Sequence, residues 1–346
     1  MNGLNPIAQK YIDEIKQLSE RIRPVVAVRC LTYNQATYIC ETLEGFLAQR
    51  TDFPFIVIVH DDASIDGTQE IIKEYVTKYP DIIKPILEED NQYSKRDGSV
   101  SHIMGEAVKV TDANYIALCE GDDYWTDPLK LQKQVDFLDS HPDYGMCYTQ
   151  ALDFNQARNC FGKVWGGPNE SFEELYVKNT IPTLTAVFRG DLYMKYQREI
   201  NPRNRGWYMG DYPLWLYFAA NSKIKFMDFV SGVYRRLNDS ASHSRSLNKV
   251  LAFRKNFYGI GEDMANLLNQ RVPEDVWREH QDAKYKEILH FCLILNDNTI
   301  PQEAQMFYSN YPVGIKERLI LKFPAISKLI LKVLFKRRGY NIEVKG

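Results

Sequence analysis

Apolar runs that alternate with amphipathic helical patterns dominate the first half of this 346-residue chain and restrict the folds open to it. The run at 55–59 is apolar throughout, as expected for a strand buried on both faces of a parallel sheet. Repeated strand–helix alternation predicts a mostly parallel sheet flanked by helices, an α/β fold. The predicted strands are residues 25–30, 55–59, 82–87, 115–119 and 144–149. The predicted helices are residues 38–49, 66–79, 99–110 and 129–140.

The second half is less regular. It contains strand-like runs at 184–188 and 224–230, a helical pattern at 212–220, and mainly helical patterns from about residue 247. We therefore expect an N-terminal helix over 1–23, a single α/β domain over 24–240 and a helical region over 241–346.

Composition excludes several classes of protein. The net charge of -2 argues against a nucleic-acid partner. The first 23 residues lack the apolar core of a signal peptide, and apolar runs fall short of the ~18 residues that predict a membrane span. These features predict a cytoplasmic location. A dinucleotide-dependent oxidoreductase and a P-loop ATPase are both disfavoured, because their glycine-rich motifs are missing.

Three acids follow the fourth predicted strand, at Glu120, Asp122 and Asp123. Carboxylates at the end of a buried strand are costly without a cation or strong hydrogen-bond donors. Such hard oxygen ligands suit Mg²⁺ or Mn²⁺, so the cluster predicts a metal that holds a phosphorylated ligand. The alternative is a solvated turn that leads into the next helix, for which Asp127-Pro128 is a typical start.

A second acidic pair, Asp61-Asp62, follows the second predicted strand. One of these carboxylates has the chemistry to accept the imide N–H of a uracil ring. The alternative is a helix-initiating turn in which Asp66 caps the helix and the pair binds local amides. Ligands of parallel α/β sheets bind outside the carboxyl ends of the strands. The loops after the first, second and fourth strands therefore predict a nucleotide-diphosphate pocket.

Four motifs together resemble those of family 2 inverting glycosyltransferases, which have the GT-A fold. The motifs are TYN at 32–34, DDASIDGT at 61–68, EGDDYW at 120–125 and KLQKQ at 130–134. The similarity extends over about residues 24–234 and is most specific up to residue 150. The resemblance implies a single domain that binds a nucleotide-diphospho-sugar, followed by a helical extension.

The resemblance also implies roles for individual residues. The nucleoside side of the donor would contact Thr32, Tyr33, Asn34, Asp61 and Asp62, and Asp123 would contact ribose or sugar. The metal motif of the family falls on 120–122. Asp122 would bind Mn²⁺ or Mg²⁺ with Glu120 beside it, where the family usually has aspartate.

In the family the general base comes from an acidic pair that opens a helix. Here the first acid is replaced by Gly210, and Asp211 remains as the implied base. The alternative role for Asp211 is a helix N-cap, with Pro213 in the first turn.

The resemblance places a basic segment over the diphosphate, which here corresponds to Arg235 and Arg236. The histidine that the family often carries there would fall near Leu237, and His243 is a weak substitute. The alternative is a solvated loop.

The expected activity is metal-dependent, inverting transfer of a sugar, most simply from a UDP-sugar, to a hydroxyl of a glycan or lipid-linked acceptor. A nucleotidyltransferase that forms sugar nucleotides is one alternative, but the loop at 31–34 lacks the glycine-rich, basic character of such enzymes. A non-catalytic carbohydrate-binding scaffold is the other alternative.

Residues 315–346 contain nine lysines and arginines against two acids, interleaved with apolar residues. This pattern predicts a basic amphipathic tail that contacts an anionic membrane peripherally, on its cytoplasmic face. The alternative is a helix packed on the core with snorkelling lysines. Pro324 is expected to divide the segment into two helices.

Overall fold

The computed structural model describes residues 4–237, 246–337 and 340. The chain forms two compact units, one of residues 1–175 with 179–236 and the other of residues 176–178 with 237–346. The strands are β1 (Val26–Thr32), β2 (Phe55–Asp61), β3 (Ile83–Leu87), β4 (Tyr115–Leu118), β5 (Tyr124–Trp125), β6 (Tyr144–Asn155), β7 (Cys160–Trp165), β8 (Val187–Arg189) and β9 (Lys223–Arg236).

Thirteen α-helices occur among the described residues. They are α1 (Pro6–Ile22), α2 (Ile39–Leu47), α3 (Thr68–Lys78), α4 (Ser99–Lys109), α5 (Lys130–Ser140), α6 (Phe172–Val177), α7 (Gly190–Ile200), α8 (Tyr212–Asn221), α9 (Leu247–Leu267), α10 (Glu274–Leu295), α11 (Thr299–Asn310), α12 (Ile315–Lys322) and α13 (Pro324–Arg337). A 3₁₀ turn, Thr183–Thr185, lies directly before β8 and becomes important at the site.

The first unit is built on one mixed sheet with the strand order β3-β2-β1-β4-β8-β6-β9-β5, and β7 pairs with β6. The neighbours β1–β2, β1–β4, β2–β3 and β6–β9 are parallel. The α/β fold flanked by helices that the sequence predicts is confirmed. The sheet is mixed rather than mostly parallel, because β8 runs antiparallel to both of its neighbours and β5 and β7 add antiparallel edges.

Parallel pairing in the first half fixes where the strands end. The register sets Thr32 of β1 opposite Asp61 of β2 and Arg29 opposite Leu118 of β4. The backbone N–H of Asp62 then donates to Thr32 O at 3.1 Å, and that of Gly121 donates to Leu31 O at 2.8 Å. The three loops that the sequence places at one edge of the sheet therefore meet there.

The second unit has its own apolar core, formed by α9 to α13. Its buried residues include Leu251, Ile288, Leu289, Cys292 and Ile300. Across the described ranges, no helix has both the length and the apolarity needed to cross a bilayer.

Candidate active site

The loops after β1 and β2 are joined by hydrogen bonds through Asn34. This residue adopts a left-handed conformation (φ 52°), which asparagine tolerates better than most side chains. Its backbone N–H donates to Ser64 Oγ at 2.8 Å, and its Oδ1 accepts from the N–H of Ile65 at 2.9 Å. The predicted ligand residue Asn34 therefore joins the two loops through its own backbone and side chain.

Asp61 is fully buried, and its carboxylate is used within the loop after β2. Its oxygens accept from the backbone N–H of Ser64 at 2.9 Å, from the Ser64 hydroxyl, and from Gln69 Nε2 at 2.8 Å. The structure thus gives Asp61 the loop-organising role that the sequence left open as an alternative.

Asp62 is also buried, and it connects β2 to the loop after β3. One oxygen accepts from the N–H of Gln92 at 2.7 Å and the other from the N–H of Tyr93 at 3.0 Å. These bonds hold the carboxylate in one orientation. A nucleoside bound here would share this carboxylate with the two amides.

The side chains of Thr32 and Tyr33, at the end of β1, are less constrained than the carboxylates of Asp61 and Asp62. Thr32 Oγ1 is buried and lacks a hydrogen-bond partner in the part of the chain that the structure describes. The ring of Tyr33 is 48% exposed. Both remain predicted donor contacts.

The acidic loop after β4 packs tightly against the loop after β1. A Cβ added to Gly121 would lie 2.7 Å from Thr32 Cβ and 2.5 Å from Gln35 Oε1, so only glycine fits there without a shift. The Thr42 hydroxyl lies within donor distance of the carbonyl oxygens of both Gly121 (2.9 Å) and Asp123 (2.7 Å), which share its one hydrogen. The residues on either side of Asp122 are therefore held rigidly from α2.

The acids of the loop after β4 have raised pKa values. Burial, followed by the nearby charges of Asp122 and Asp211, raises the pKa of Glu120 to about 7. Burial also raises the pKa of Asp122. Burial together with Asp122 and Glu120 raises the pKa of Asp123 well above its usual range. Like charges gathered in a poorly solvated place have this effect, which a bound cation would relieve.

Asp211 joins the cluster although it is distant in sequence, since its charge acts on Glu120. It begins α8, where one oxygen accepts from the N–H of Tyr212 at 2.7 Å. The other oxygen accepts from the Thr183 hydroxyl at 2.6 Å. The N-cap alternative is therefore correct, and the charge of the same carboxylate also acts on Glu120 in the acidic loop. No pattern in the sequence singles out Thr183.

Arg235 acts as a brace for the acidic loop. Its backbone N–H donates to Asp123 Oδ1 at 2.7 Å, and its Nε donates to Asp122 O at 2.7 Å. The guanidinium also binds Gln156 Oε1 and Glu41, and lies 4.8 Å from the centre of the Tyr38 ring. A phosphate contact by Arg235 would require some of these bonds to be given up.

Arg236 is more accessible than Arg235, and its guanidinium pairs with Asp153. Its contact with phosphate stays a prediction. His243, the weak metal candidate, lies outside the described residues.

Two further polar residues near the site carried only a faint signal in the sequence. Arg29 is the one charged residue of β1, and its charge lowers the pKa of Glu120 against the larger effect of burial. Its Nε and the hydroxyl of Tyr196 are buried without hydrogen-bond partners among the described residues. The sequence signal for Arg29 is a single arginine within a mostly apolar strand.

The metal prediction is supported by the chemistry of the candidate ligand oxygens, not by a preassembled group of metal ligands. No group of three or more His, Cys, Asp or Glu side chains is placed to hold a metal ion within the described ranges. The oxygens of Glu120 and Asp122 are nevertheless the hard, anionic kind that Mg²⁺ and Mn²⁺ prefer. Mg²⁺ is often held by one or two carboxylates together with substrate phosphates.

The chain is similar to known proteins both in sequence and in fold. An uncharacterized protein of Mycobacterium tuberculosis is 33% identical over 248 residues, which cover 70% of this chain and 68% of that protein. The fold is similar to that of S. aureus TarS residues 1–349 in complex with UDP-GlcNAc, with a TM-score of 0.57, 18% identity, and coverage of 92% of this chain and 93% of TarS 1–349. It is also similar to the mannosyltransferase PcManGT of Pyrobaculum calidifontis, in complex with GDP-Man and Mn²⁺ (TM-score 0.50, 15% identity, covering 96% and 92%).

Residues 30–191 match the sequence profile described as glycosyl transferase family 2. This match contains the acidic loops after β2 and β4. It favours the transferase over the nucleotidyltransferase and the non-catalytic scaffold. The chain therefore belongs to glycosyl transferase family 2 and is a glycosyltransferase with the GT-A fold.

Proposed function

We propose that this glycosyltransferase moves a sugar from a nucleotide-diphospho-sugar to a hydroxyl acceptor with inversion of configuration. The observation that carries the proposal is that Asp122 and Asp211 lie close enough to Glu120 for their charges to act on it. Burial, followed by the charges of these two acids, which lie about 90 residues apart in sequence, raises the pKa of Glu120 to about 7. An anionic pocket of this kind needs a cation, and a diphosphate can bring one.

The donor is a nucleoside diphosphate sugar, and we propose a UDP-sugar first. Support comes from the two solved structures of the same fold, which are described with UDP-GlcNAc and with GDP-Man and Mn²⁺. The acceptor is a hydroxyl of a glycan or of a lipid-linked glycan.

The proposed chemistry assigns Asp211 the role of general base. Thr183 and the N–H of Tyr212 each occupy one lone pair of a different carboxylate oxygen, and a lone pair on each oxygen remains for an acceptor hydroxyl. Asp211 takes the hydroxyl proton as that oxygen attacks the anomeric carbon. Attack from the side opposite the diphosphate inverts the configuration.

Asp122, with Glu120 beside it, would hold Mn²⁺ or Mg²⁺. When bound, the cation would neutralise charge that develops on the departing diphosphate. Burial raises the pKa of both carboxylates, and the charge of Asp122 raises that of Glu120 further, which fits a cationic ligand.

A thermal-shift panel tests the proposal. UDP-, GDP-, TDP- and CDP-sugars are each added with Mn²⁺, because a ligand that binds only the folded state raises its apparent stability. We expect one nucleotide class to raise the Tm of the wild type but not that of Asp122→Asn. Asp52→Asn, at an exposed position, is the matched control and should behave as wild type.

Donor hydrolysis in the presence of Mn²⁺ is the second readout. We expect hydrolysis by the wild type and by Asp52→Asn, and its loss in Asp122→Asn. A stabilising donor that binds equally well to Asp122→Asn, or without any divalent cation, would contradict the proposed metal role.

A further inference from the structure

The second unit presents a surface that the chemistry of the transferase does not use. Helices α12 and α13 pack into the core of that unit through Ile320, Leu331 and Phe335. The remaining faces of both helices point away from this core. Their composition is unusual for a solvated helix face.

Large apolar side chains cover the outer face. Eight of them between residues 315 and 334 are exposed, from 43% for Leu334 to 81% for Ile315. In α13 the most outward ones are Ile326, Leu329, Ile330 and Val333, at the i, i+3, i+4, i+7 spacing of a single helical stripe. This stripe lies opposite the buried pair Leu331 and Phe335. Large apolar side chains exposed together on one helix face mark an interaction site.

Basic residues border the stripe. Lys328, Lys332 and Lys336 follow one another at four-residue intervals, so they form a row along one flank of α13. Lys316, Arg318 and Lys322 add positive charge to α12. With Arg337 counted and Glu317 subtracted, residues 315–337 carry a net charge of +6.

We propose that this basic apolar face (the exposed side of residues 315–337) docks onto the surface of an anionic lipid bilayer. Apolar side chains enter the boundary between headgroups and acyl chains, while the flanking lysines meet anionic headgroups. Contact is peripheral, since the described helices cannot span a membrane. In a dimer formed through this face, two surfaces that each carry a net charge of +6 would repel one another. Charge therefore favours a lipid surface over self-association.

The experiment is co-sedimentation of the full chain with two kinds of vesicle, pure phosphatidylcholine and phosphatidylcholine with phosphatidylglycerol. We expect the wild type to pellet with the anionic vesicles and to be released by high salt. Leu329→Asp/Val333→Asp should abolish binding. Lys328→Gln/Lys332→Gln/Lys336→Gln should weaken binding about 100-fold, because each basic residue near the membrane surface raises the affinity severalfold. The binding that remains should depend less on salt.

Met306→Asp is the matched control. Met306 is 72% exposed on α11, away from the stripe in sequence, and this variant should bind as wild type. Leu329 and Val333 are exposed, so their replacement leaves the core intact, and an unchanged Tm checks this. The lysine variant tests the same face without touching apolar residues.

Three results would overturn the proposal. The first is a wild type that stays in the supernatant with anionic vesicles. The second is full binding by both stripe and lysine variants. The third is a concentration-dependent dimer that Leu329→Asp disrupts, in a protein that does not bind vesicles. Donor hydrolysis in detergent-free buffer is measured in parallel, so failure of membrane binding is distinguishable from failure of the proposed transfer chemistry.

Discussion

The hydroxyl of Thr183 donates a 2.6 Å hydrogen bond to Asp211, the carboxylate that begins α8. Thr183 opens the 3₁₀ turn whose next two carbonyls accept from Trp125 Nε1 (2.7 Å) and Gln134 Nε2 (2.9 Å). Trp125 lies shortly after the acidic loop. One short turn therefore connects the acidic loop, α5 and Asp211.

We expect Thr183→Val to lower kcat by about 10-fold while the KM for the donor changes little. The valine keeps the shape of threonine but leaves Asp211 without one of its two orienting bonds, and a hydrogen bond to a charged group is worth about 1.5–3 kcal/mol. Steady-state kinetics at fixed Mn²⁺ measure the effect. Thr183→Ser restores the hydroxyl and should recover most of the rate. A serine variant as slow as valine would show that the bond is not what matters.

Asp211→Asn should leave donor affinity nearly unchanged and lower turnover by about two or more orders of magnitude. Asparagine still accepts from the N–H of Tyr212, so the start of α8 is preserved, but it cannot take the proton of the acceptor. Donor affinity from thermal shift and turnover from kinetics separate the two effects. Asp228→Asn, at an exposed position of β9, is the control. A parallel loss of donor binding would argue against the role of base.

Gly121→Ala should lower the free energy of unfolding by about 1–3 kcal/mol and weaken donor binding. The added Cβ would meet Thr32 and Gln35 at 2.8 Å or less, which forces apart the loops after β1 and β4. Gly105→Ala in α4 is the matched control, because nothing lies within 4 Å of its added Cβ. That variant should be as stable as wild type or more so, since alanine favours helix. Chemical denaturation of both variants checks the contrast.

Lys130 gives a prediction for the dependence of stability on pH. The residue is fully buried, 4.2 Å from the centre of the Trp125 ring and 2.8 Å from Gln134 Oε1. Burial lowers the pKa of Lys130 from 10.5 to about 7. Between these two values the unfolded chain holds a proton that the folded chain has released, so stability rises with pH. Below pH 7 the folded state carries the full cost of the buried charge.

The comparison with Lys130→Met isolates this effect. From pH 7 to 10 the free energy of unfolding of the wild type should rise relative to that of the variant, by up to about 1.4 kcal/mol per pH unit. Urea denaturation of both proteins across this range measures the difference. Parallel pH profiles would mean that Lys130 keeps its proton in the folded state.

The first half of the fold could be predicted because its signals are local. The apolar run of β2 and the alternation around it identify β1 to β4 and their helices within a few residues. β5 and β7 were missed. β5 has only two residues, and β7 is an edge strand that is mostly exposed. β6 and β9 both extend beyond the predicted runs, because pairing with each other stabilises their more polar ends.

The candidate site was predictable only where its residues directly follow strands of the sheet. Acidic residues directly after buried strands identify Asp62 and Asp122, since the sheet fixes where such residues lie. The contacts of Thr183 with Asp211 and of Arg235 with the acidic loop depend on tertiary structure far along the chain. No local pattern distinguishes an arginine that grips phosphate from one that braces a loop.

The parallel pairing of β6 with β9 has a kinetic consequence. It joins residues about 80 positions apart, and the same strand β9 supplies the amide that binds Asp123. Contacts of such long range form slowly, because the intervening chain must be ordered first. During refolding, recognition of the donor should therefore return later than the helical circular dichroism signal. A growing chain cannot complete this pocket until residue 236 has left the ribosome.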